Sequence, residues 1–243
     1  MLLRVLIMIF VLLSASGARA TEIVRFYSYH AFPPFFNGEN MGITYDLADY
    51  LTYKSNGAYK MVVDIIPRRR LDMLMQDGEP LVIPWVTPEW YGSQAALRFS
   101  WTNPLFEDRN VVISSALAPI DYIGPHSLSG KRVGTVIGHI YAELYPMMEE
   151  GWIIREDAIS EEVNVRKVAL GRIDASVMAE SAARYYVQAF GLEARIYISP
   201  QPQSTYARRI MISGRNSNLA EFLRYAVLNM HSDPLWLSIW ARY

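Results

Sequence analysis

Aromatic, arginine, histidine and glutamate side chains at or directly after predicted strands are the residues of this sequence best placed to do chemistry. In an open α/β sheet, ligands bind beyond the carboxyl ends of the strands. The candidate binding residues are Tyr29, Phe36, Arg70, Trp85, Trp90, Gly138, His139, Glu180 and Tyr206. Aromatic rings can stack on a flat ligand, and charged groups can bind its polar ends. The pattern therefore predicts non-covalent recognition of a small molecule.

The aromatic candidates also admit a second interpretation, which is burial in a core. Tyr29 and Phe36 follow the first predicted strand, and Trp85 and Trp90 flank the end of the third. Arg70 lies in a run of three arginines, and a charge run commonly forms a solvated face. If Arg70 instead faces a cleft, we expect it to bind a carboxylate or carbonyl group.

Two further candidates depend on helix starts. Gly138 and His139 are predicted to open a helix over residues 138–150, whose exposed N–H groups would attract an anion. Glu180 lies at the start of another predicted helix and could bind a ligand cation. The alternative for Glu180 is a first-turn acid that the helix dipole favours.

Catalytic and metal-binding signatures are missing from the sequence. It contains no Gly-x-Ser-x-Gly, no His-Glu-x-x-His and no phosphate-binding loop. The four histidines are far apart and there is no cysteine, so we expect no metal and no cofactor. The 23 basic and 24 acidic residues give a net charge of −1, which argues against nucleic acid as a partner.

The first twenty residues have the pattern of a secretory signal peptide. Arg4 precedes an apolar run over residues 5–13, and Ala18-Arg19-Ala20 is a small-x-small cleavage site. The apolar run is much shorter than the roughly 20 residues that span a bilayer. We therefore expect cleavage after Ala20 and a periplasmic protein.

Predicted strands and helices alternate along the remaining chain, which favours an α/β fold with mainly parallel sheets. The alternation breaks at residues 116–128 and again at the Pro-rich stretch 199–202. These breaks indicate a middle lobe inserted into an outer lobe, with a cleft between them. The predicted division is residues 21–115 plus 205–243 for lobe 1 and residues 116–204 for lobe 2.

Several segments, taken in order, resemble the family 3 extracellular solute-binding proteins, the periplasmic receptors of amino-acid-type ABC importers. The segments are Pro33-Pro34-Phe35, Gly42-Ile43-Thr44-Tyr45-Asp46-Leu47, Thr87-Pro88-Glu89 with Phe99-Ser100 and Pro104, Leu128-Ser129-Gly130-Lys131-Arg132-Val133-Gly134, and Ala169-Leu170 with Ile173-Asp174-Ala175. The resemblance covers the whole mature chain.

The resemblance implies a two-lobed periplasmic-binding-protein-like fold (type 2), with mixed sheets flanked by helices. Two crossing strands, near residues 111–118 and 198–207, would act as hinges. The implied function is ligand capture by a monomer that delivers to an inner-membrane ABC permease. The alternatives are a ligand-sensing subunit and an enzyme on the same fold, similar to cyclohexadienyl dehydratases.

Two residues depart from the family pattern. Amino-acid-binding members carry an Arg that grips the ligand carboxylate where this chain has Trp90, and an Asp that pairs with the ligand ammonium where it has Ala179. Arg70 matches a position of a less characterised branch of the family. We therefore expect common α-amino acids to bind poorly.

Overall fold

The computed structural model describes residues 20–139, 141, 143–214 and 216–243, and it has an α/β fold. The strands are β1 (Glu22–Ser28), β2 (Tyr59–Ile65), β3 (Val82–Val86), β4 (Ser100–Trp101), β5 (Phe106–Ser115), β6 (Arg132–Val136), β7 (Ile154–Ala158), β8 (Ala175–Ala179), β9 (Ile196–Ile198) and β10 (Ser204–Ile212). The α-helices are α1 (Ile43–Lys54), α2 (Arg68–Gln76), α3 (Ala95–Arg98), α4 (Tyr145–Glu149), α5 (Glu161–Ala169), α6 (Glu180–Ala189), α7 (Ser217–Met230) and α8 (Pro234–Trp240). Short 3₁₀ turns cover Pro88–Tyr91 and Pro125–Leu128.

Side-chain caps fix the starts of three helices. Ser160 accepts a hydrogen bond from the backbone N–H of Val163 at the start of α5, and Asn216 accepts one from Leu219 at the start of α7. Asp233 does the same for α8, whose first residue is Pro234. Each cap satisfies a backbone donor that has no partner within its helix.

The strands form one continuous path in the order β2-β1-β3-β10-β5-β8-β6-β7. Pairing of β1 with β2 and β3, and of β6 with β7 and β8, is parallel. Pairing of β10 with β3 and β5, and of β5 with β8, is antiparallel. The expected α/β class with mixed sheets is therefore confirmed, and the antiparallel pairs all involve β5 or β10.

Strands β5 and β10 connect the two halves of this path. Residues 204–208 of β10 pair with β5, whereas residues 209–212 pair with β3. The predicted crossings, near residues 111–118 and 198–207, overlap these strands only in part. Strand β5 starts earlier, at Phe106, and β10 starts later, at Ser204. The predicted lobe boundaries stay a prediction.

Separate apolar cores lie on either side of the crossing strands. One large core contains Phe26 and Leu47 against α7, and another contains Val111 and Val165 against α6. Phe32 packs against both of these cores. The loop after β1 therefore contacts both halves of the molecule.

Between residues 138 and 158 the structure differs from the sequence prediction in two ways. The helix expected over residues 138–150 is limited to α4, and Gly138 has a φ of 86°, which lies in the left-handed region rather than in a right-handed helix. Strand β7 was not predicted, because its sequence Ile-Arg-Glu-Asp-Ala is rich in charge. It is an edge strand, and charged side chains are usual there.

No helix within the described residues combines the length and the apolar character needed to cross a bilayer. The predicted signal peptide, residues 1–20, lies outside the described residues apart from Ala20.

Candidate functional site

A buried arginine lies at the centre of the crossing strands. Arg208 on β10 is 1% exposed. Its Nε donates to Asp108 Oδ2 at 2.8 Å, its Nη1 to the carbonyl oxygen of Trp85 at 2.8 Å, and its Nη2 to Tyr206 Oη at 3.2 Å. A buried charge is tolerated only when it is paired and hydrogen-bonded in this way.

The acid partner, Asp108 on β5, also binds the start of α6. Its Oδ2 accepts a hydrogen bond from Ser181 Oγ at 2.8 Å, and its Oδ1 accepts one from the backbone N–H of Arg109 at 2.9 Å. The ion pair therefore links both crossing strands to the helix that follows β8.

Aromatic rings surround the Arg208 guanidinium. Its central carbon lies 4.4 Å from the ring centroid of Phe35, 5.1 Å from that of Tyr206 and 5.6 Å from that of Trp90. The Trp90 and Tyr206 rings contact each other at 5.1 Å. Cation–π attraction adds to the pairing of a desolvated guanidinium. We call Arg208, Asp108, His30, Trp90 and Tyr206 the Arg208 cluster.

His30 is the member of the Arg208 cluster whose ordinary pKa lies close to neutral pH. Its Nε2 lies 3.1 Å from the carbonyl oxygen of Trp85 and 3.5 Å from Arg208 Nη1. Burial, reinforced by the nearby Arg208 charge, holds the pKa of His30 well below its usual value. The imidazole is therefore neutral in the folded protein at neutral pH.

A second arginine lies beside the Arg208 cluster. The Arg68 guanidinium carbon is 4.9 Å from the ring centroid of Tyr29 and 4.7 Å from that of Tyr91. Arg68 Nη1 donates to Tyr29 Oη at 3.2 Å, and Nε donates to Asp72 Oδ1 at 2.8 Å. Burial raises the pKa of Tyr29, which remains protonated.

A cavity of about 460 Å³ opens against the Arg208 cluster, and we call it the Trp90 cavity. Its lining residues are Thr87, Glu89, Trp90, Glu107, Ser204, Thr205, Tyr206 and Ala207. This volume falls within the range of small-molecule sites, roughly 300–1,000 Å³. The lining comes from the loop after β3 and from both crossing strands.

Three of the sequence-predicted residues lie together in this region. Trp90 and Tyr206 line the Trp90 cavity and contact each other. Tyr29 contacts His30 at a ring distance of 4.3 Å and so borders the same cluster. The structure places these three side chains around Arg208.

Trp85 lies in the core rather than at a surface. Its side chain is 0% exposed and its Nε1 donates to Thr44 Oγ1 at 2.9 Å, so the ring is not available to a ligand. Its φ of 69° is unusual for a bulky residue and coincides with a register irregularity between β3 and β10. In this conformation the Trp85 carbonyl contacts both Arg208 and His30.

Glu180 is held by arginines and not by the Arg208 cluster. Its carboxylate accepts a bidentate pair from Arg109 and further hydrogen bonds from Arg184. The hydrogen bond from Arg109 is the main reason that the pKa of Glu180 lies below its usual value. Glu180 lies with Asp108 and Glu107 in the lining of a second cavity, of about 220 Å³. From their positions after predicted strands, Trp90, Arg70 and Glu180 are expected to converge on one ligand. In the structure Trp90 and Glu180 line different cavities, and Arg70 lines neither.

Among the described contacts, Phe36, Arg70 and Gly138 do not touch the Arg208 cluster, whereas the nearby His139 is one of the charges that lower the pKa of His30. Phe36 contacts Tyr45 at a ring distance of 6.4 Å, and Arg70 is exposed on α2. Gly138 is exposed and opens no helix, so the anion site expected from its backbone is not formed there. The exposed His139 has its Nδ1 3.6 Å from Glu161 Oε1.

Sequence reasoning missed the charged centre of the site. Arg208 and Asp108 are separated by 100 residues, and neither belongs to a recognised motif. One signal could have identified Arg208: it is a charged residue at the start of a predicted strand that is otherwise mostly apolar. Arg68 belongs to the run of three arginines, a pattern typical of a solvated face, yet it is the arginine of that run that contacts Tyr29.

Comparison with solved structures identifies the class of fold. An ancestral arginine-binding protein bound to arginine matches with a TM-score of 0.72 and 21% identity, over 92% of this chain and 99% of its own. A histidine kinase sensor domain with similarity to periplasmic binding proteins matches with a TM-score of 0.72 and 13% identity, over 92% and 96%. The GluR0 ligand-binding core from Nostoc punctiforme, in complex with L-glutamate, gives 0.67 and 17%, over 91% and 98%.

The chain therefore has the fold of the periplasmic amino-acid-binding proteins, and the expectation from the sequence resemblance is confirmed at the level of the fold. No protein-family model and no curated protein sequence matches the chain. The identities are too low to transfer a ligand, so the function has to be argued from the site.

Acidification should destabilise the protein partly through His30. Because its folded pKa is lowered, the unfolded state binds a proton below about pH 6.5 that the native state does not, and stability falls as the pH drops. A single proton contributes at most about 1.4 kcal/mol per pH unit. We expect His30→Gln to reduce the fall in the urea midpoint between pH 7 and pH 5. His126→Gln, an exposed histidine, is the matched control. Equal slopes for wild type and His30→Gln would contradict this role.

Proposed function

We propose that the protein captures a small ligand against the Arg208 cluster and closes around it by movement about β5 and β10. The observation that carries this proposal is the Trp90 cavity, which is lined by the loop after β3 and by both crossing strands. A ligand bound there contacts the hinge itself, so binding is coupled to the relative position of the two halves. Hinge closure is the usual motion of two-lobed binding folds.

The proposed setting is the periplasm, with a membrane protein as partner. The signal-peptide pattern of residues 1–20 supports export, and the fold supports delivery to an inner-membrane ABC permease. A ligand-sensing role is the second candidate, and the similarity to a histidine kinase sensor domain favours it. In either role the protein acts as a monomer and does not bind nucleic acid.

Binding without catalysis is part of the same proposal. The buried acid nearest the Trp90 cavity, Asp108, already accepts hydrogen bonds from Arg208 and Ser181. A dehydratase would need an acid that is buried beside its substrate and free to exchange a proton. The acids that line the cavity, Glu89 and Glu107, are exposed. The test is the mass of the ligand after incubation with excess protein, which should stay unchanged.

Loss of the Trp90 ring should weaken binding strongly. A buried aromatic anchor contributes about 2 kcal/mol or more, equivalent to roughly 30-fold in affinity. Native mass spectrometry of the protein purified from the periplasm should reveal a bound small molecule, and Trp90→Ala should lose that adduct. The empty variant should keep an unfolding midpoint close to that of the wild type, because Trp90 is only partly buried.

Trp152→Ala is the matched control, because Trp152 is exposed and far from the Trp90 cavity in the chain. It should retain the adduct. The proposal would be overturned by a wild-type protein that carries no adduct and responds to no member of a metabolite panel. It would also be overturned if Trp90→Ala unfolded the empty protein and left ligand affinity unchanged.

A further inference from the structure

The Trp90 cavity has an acidic lining. Glu89 and Glu107 both contribute to it, and none of its lining residues is Lys, Arg or His. The nearest buried cation, Arg208, is paired with Asp108 and so adds no net charge. The charged side chains of the lining are therefore both negative, and this charge favours a positively charged guest.

The two carboxylates are not engaged by cations of the protein itself. Among the described residues, neither Glu89 nor Glu107 forms an ion pair, and Glu89 accepts a hydrogen bond only from Thr87 Oγ1. Glu180, by contrast, binds two arginines. The difference matters because these carboxylates can pair with a ligand cation without first breaking an internal ion pair.

The aromatic side chains of the cavity suit a cation as well. The Trp90 and Tyr206 rings lie 5.1 Å apart at an interplanar angle of 59°. Both already lie beside the buried Arg208 guanidinium. Aromatic faces attract ammonium and guanidinium groups, most strongly where water is excluded. The hydroxyl of Thr205 adds a hydrogen-bond acceptor for an N–H donor.

We propose that the Trp90 cavity binds the positive end of an organic cation, an amine or ammonium group on a flat or apolar body that carries no carboxylate. A ligand carboxylate would meet Glu89 and Glu107 without a base to neutralise it. This inference rests on the proposed function and specifies the chemical class of the ligand. It separates this site from a receptor for zwitterionic amino acids.

A series of compounds that share one phenyl group tests the charge requirement. 2-Phenylethylamine carries a positive charge, 2-phenylethanol none, 3-phenylpropanoate a negative charge, and L-phenylalanine both charges. Titration calorimetry on the full mature chain at low salt measures each affinity. We expect the amine to bind at least about tenfold more tightly than the alcohol, because a charge-assisted pair replaces a neutral one. The other two compounds should bind more weakly than the alcohol.

Charge-removing variants locate the effect. Glu107→Gln and Glu89→Gln should each weaken amine binding by about tenfold and leave alcohol binding unchanged. Glu193→Gln, an exposed acid outside the cavity, is the control and should behave as wild type. Raising the salt concentration should weaken binding of the amine more than binding of the alcohol.

The outcomes distinguish this inference from the proposed function. If all four compounds bind equally and Trp90→Ala abolishes their binding, the cavity is a ligand site but its preference for cations is refuted. If Glu107→Gln and Glu89→Gln leave amine affinity unchanged, the inference is also refuted. If none of the compounds binds, the cation site is rejected, whereas capture of a periplasmic molecule is still decided by native mass spectrometry.

Discussion

Replacing Asp108 with alanine should lower the free energy of unfolding by about 3–5 kcal/mol. The substitution leaves the Arg208 guanidinium buried without a counter-charge, since its other partners within the described structure are neutral groups, the Trp85 carbonyl, the Tyr206 hydroxyl and the His30 imidazole. It also removes the acceptor for Ser181 at the start of α6. Urea unfolding followed by tryptophan fluorescence measures the loss.

A double variant separates the charge effect from the packing effect. Asp108→Leu combined with Arg208→Met replaces the ion pair by apolar groups, and we expect it to be more stable than Asp108→Ala alone. Asp64→Ala breaks the exposed pair of Asp64 with Arg25 and should leave the urea midpoint near that of wild type. If Asp108→Ala matched this surface control, the buried pair would not stabilise the crossing strands.

Replacing Trp85 with alanine should cost about 3–5 kcal/mol of folding free energy. The ring is fully buried, lies 5.4 Å from the Phe35 ring and 6.1 Å from the Phe106 ring, and donates to Thr44. Its removal leaves a cavity and an unpaired Thr44 hydroxyl in the core that contains Trp85 and Phe35. The measurement is again the urea midpoint and slope of the ligand-free protein.

The chain offers a tryptophan control for this experiment. Trp152 is 59% exposed, and its Nε1 donates to Glu150 Oε2. Trp152→Ala should change stability by less than about 0.5 kcal/mol, as surface substitutions usually do. Equal effects of the two substitutions would show that Trp85 is not a core residue. Trp90→Ala should differ from both variants, because we expect it to lose the ligand with little loss of stability. The three substitutions together distinguish a binding-site tryptophan from a core tryptophan and a surface tryptophan.

Strongly periodic elements were predictable from the sequence. In residues 217–230 the apolar positions recur at helical spacing, which predicts a helix there, and the structure has α7 over the same residues with those positions buried. Pro234 predicts the start of a further helix, because proline is favoured in the first turn, and α8 begins at that residue. In both cases a local pattern contains the whole signal.

Features set by tertiary contacts were not predictable. The charged strand β7 exists because β6 pairs with it at the edge of the sheet, and its own sequence does not favour a strand. The expected helix over residues 138–150 fails at Gly138, where the backbone has a positive φ. The pairing of Asp108 with Arg208 depends on the register of β5 and β10, which is a long-range property.

Only part of the candidate site was predictable from the sequence, namely two of its aromatic residues. Trp90 is a candidate because it takes the place of the family's ligand-binding Arg, and Tyr206 because it follows the second predicted crossing, and both line the cavity. Glu180 and Trp85 were candidates as well, but each is bound by a partner within the protein, Arg109 for Glu180 and Thr44 for Trp85. The sequence alone does not show which polar or aromatic side chains are bound by partners within the folded protein and so are not available to a ligand.

The location of the Arg208–Asp108 pair has a consequence for how this protein can change over evolutionary time. The pair anchors the pivot, whereas Glu89, Ser204 and Thr205 line the cavity from positions that the pair does not touch. Substitutions at these rim positions can alter which molecule is accepted at little cost to folding, because surface residues tolerate exchange. Substitutions at the pivot would be removed by selection before any new specificity could be tested. Ligand preference is therefore expected to diversify faster than the hinge among descendants of this chain.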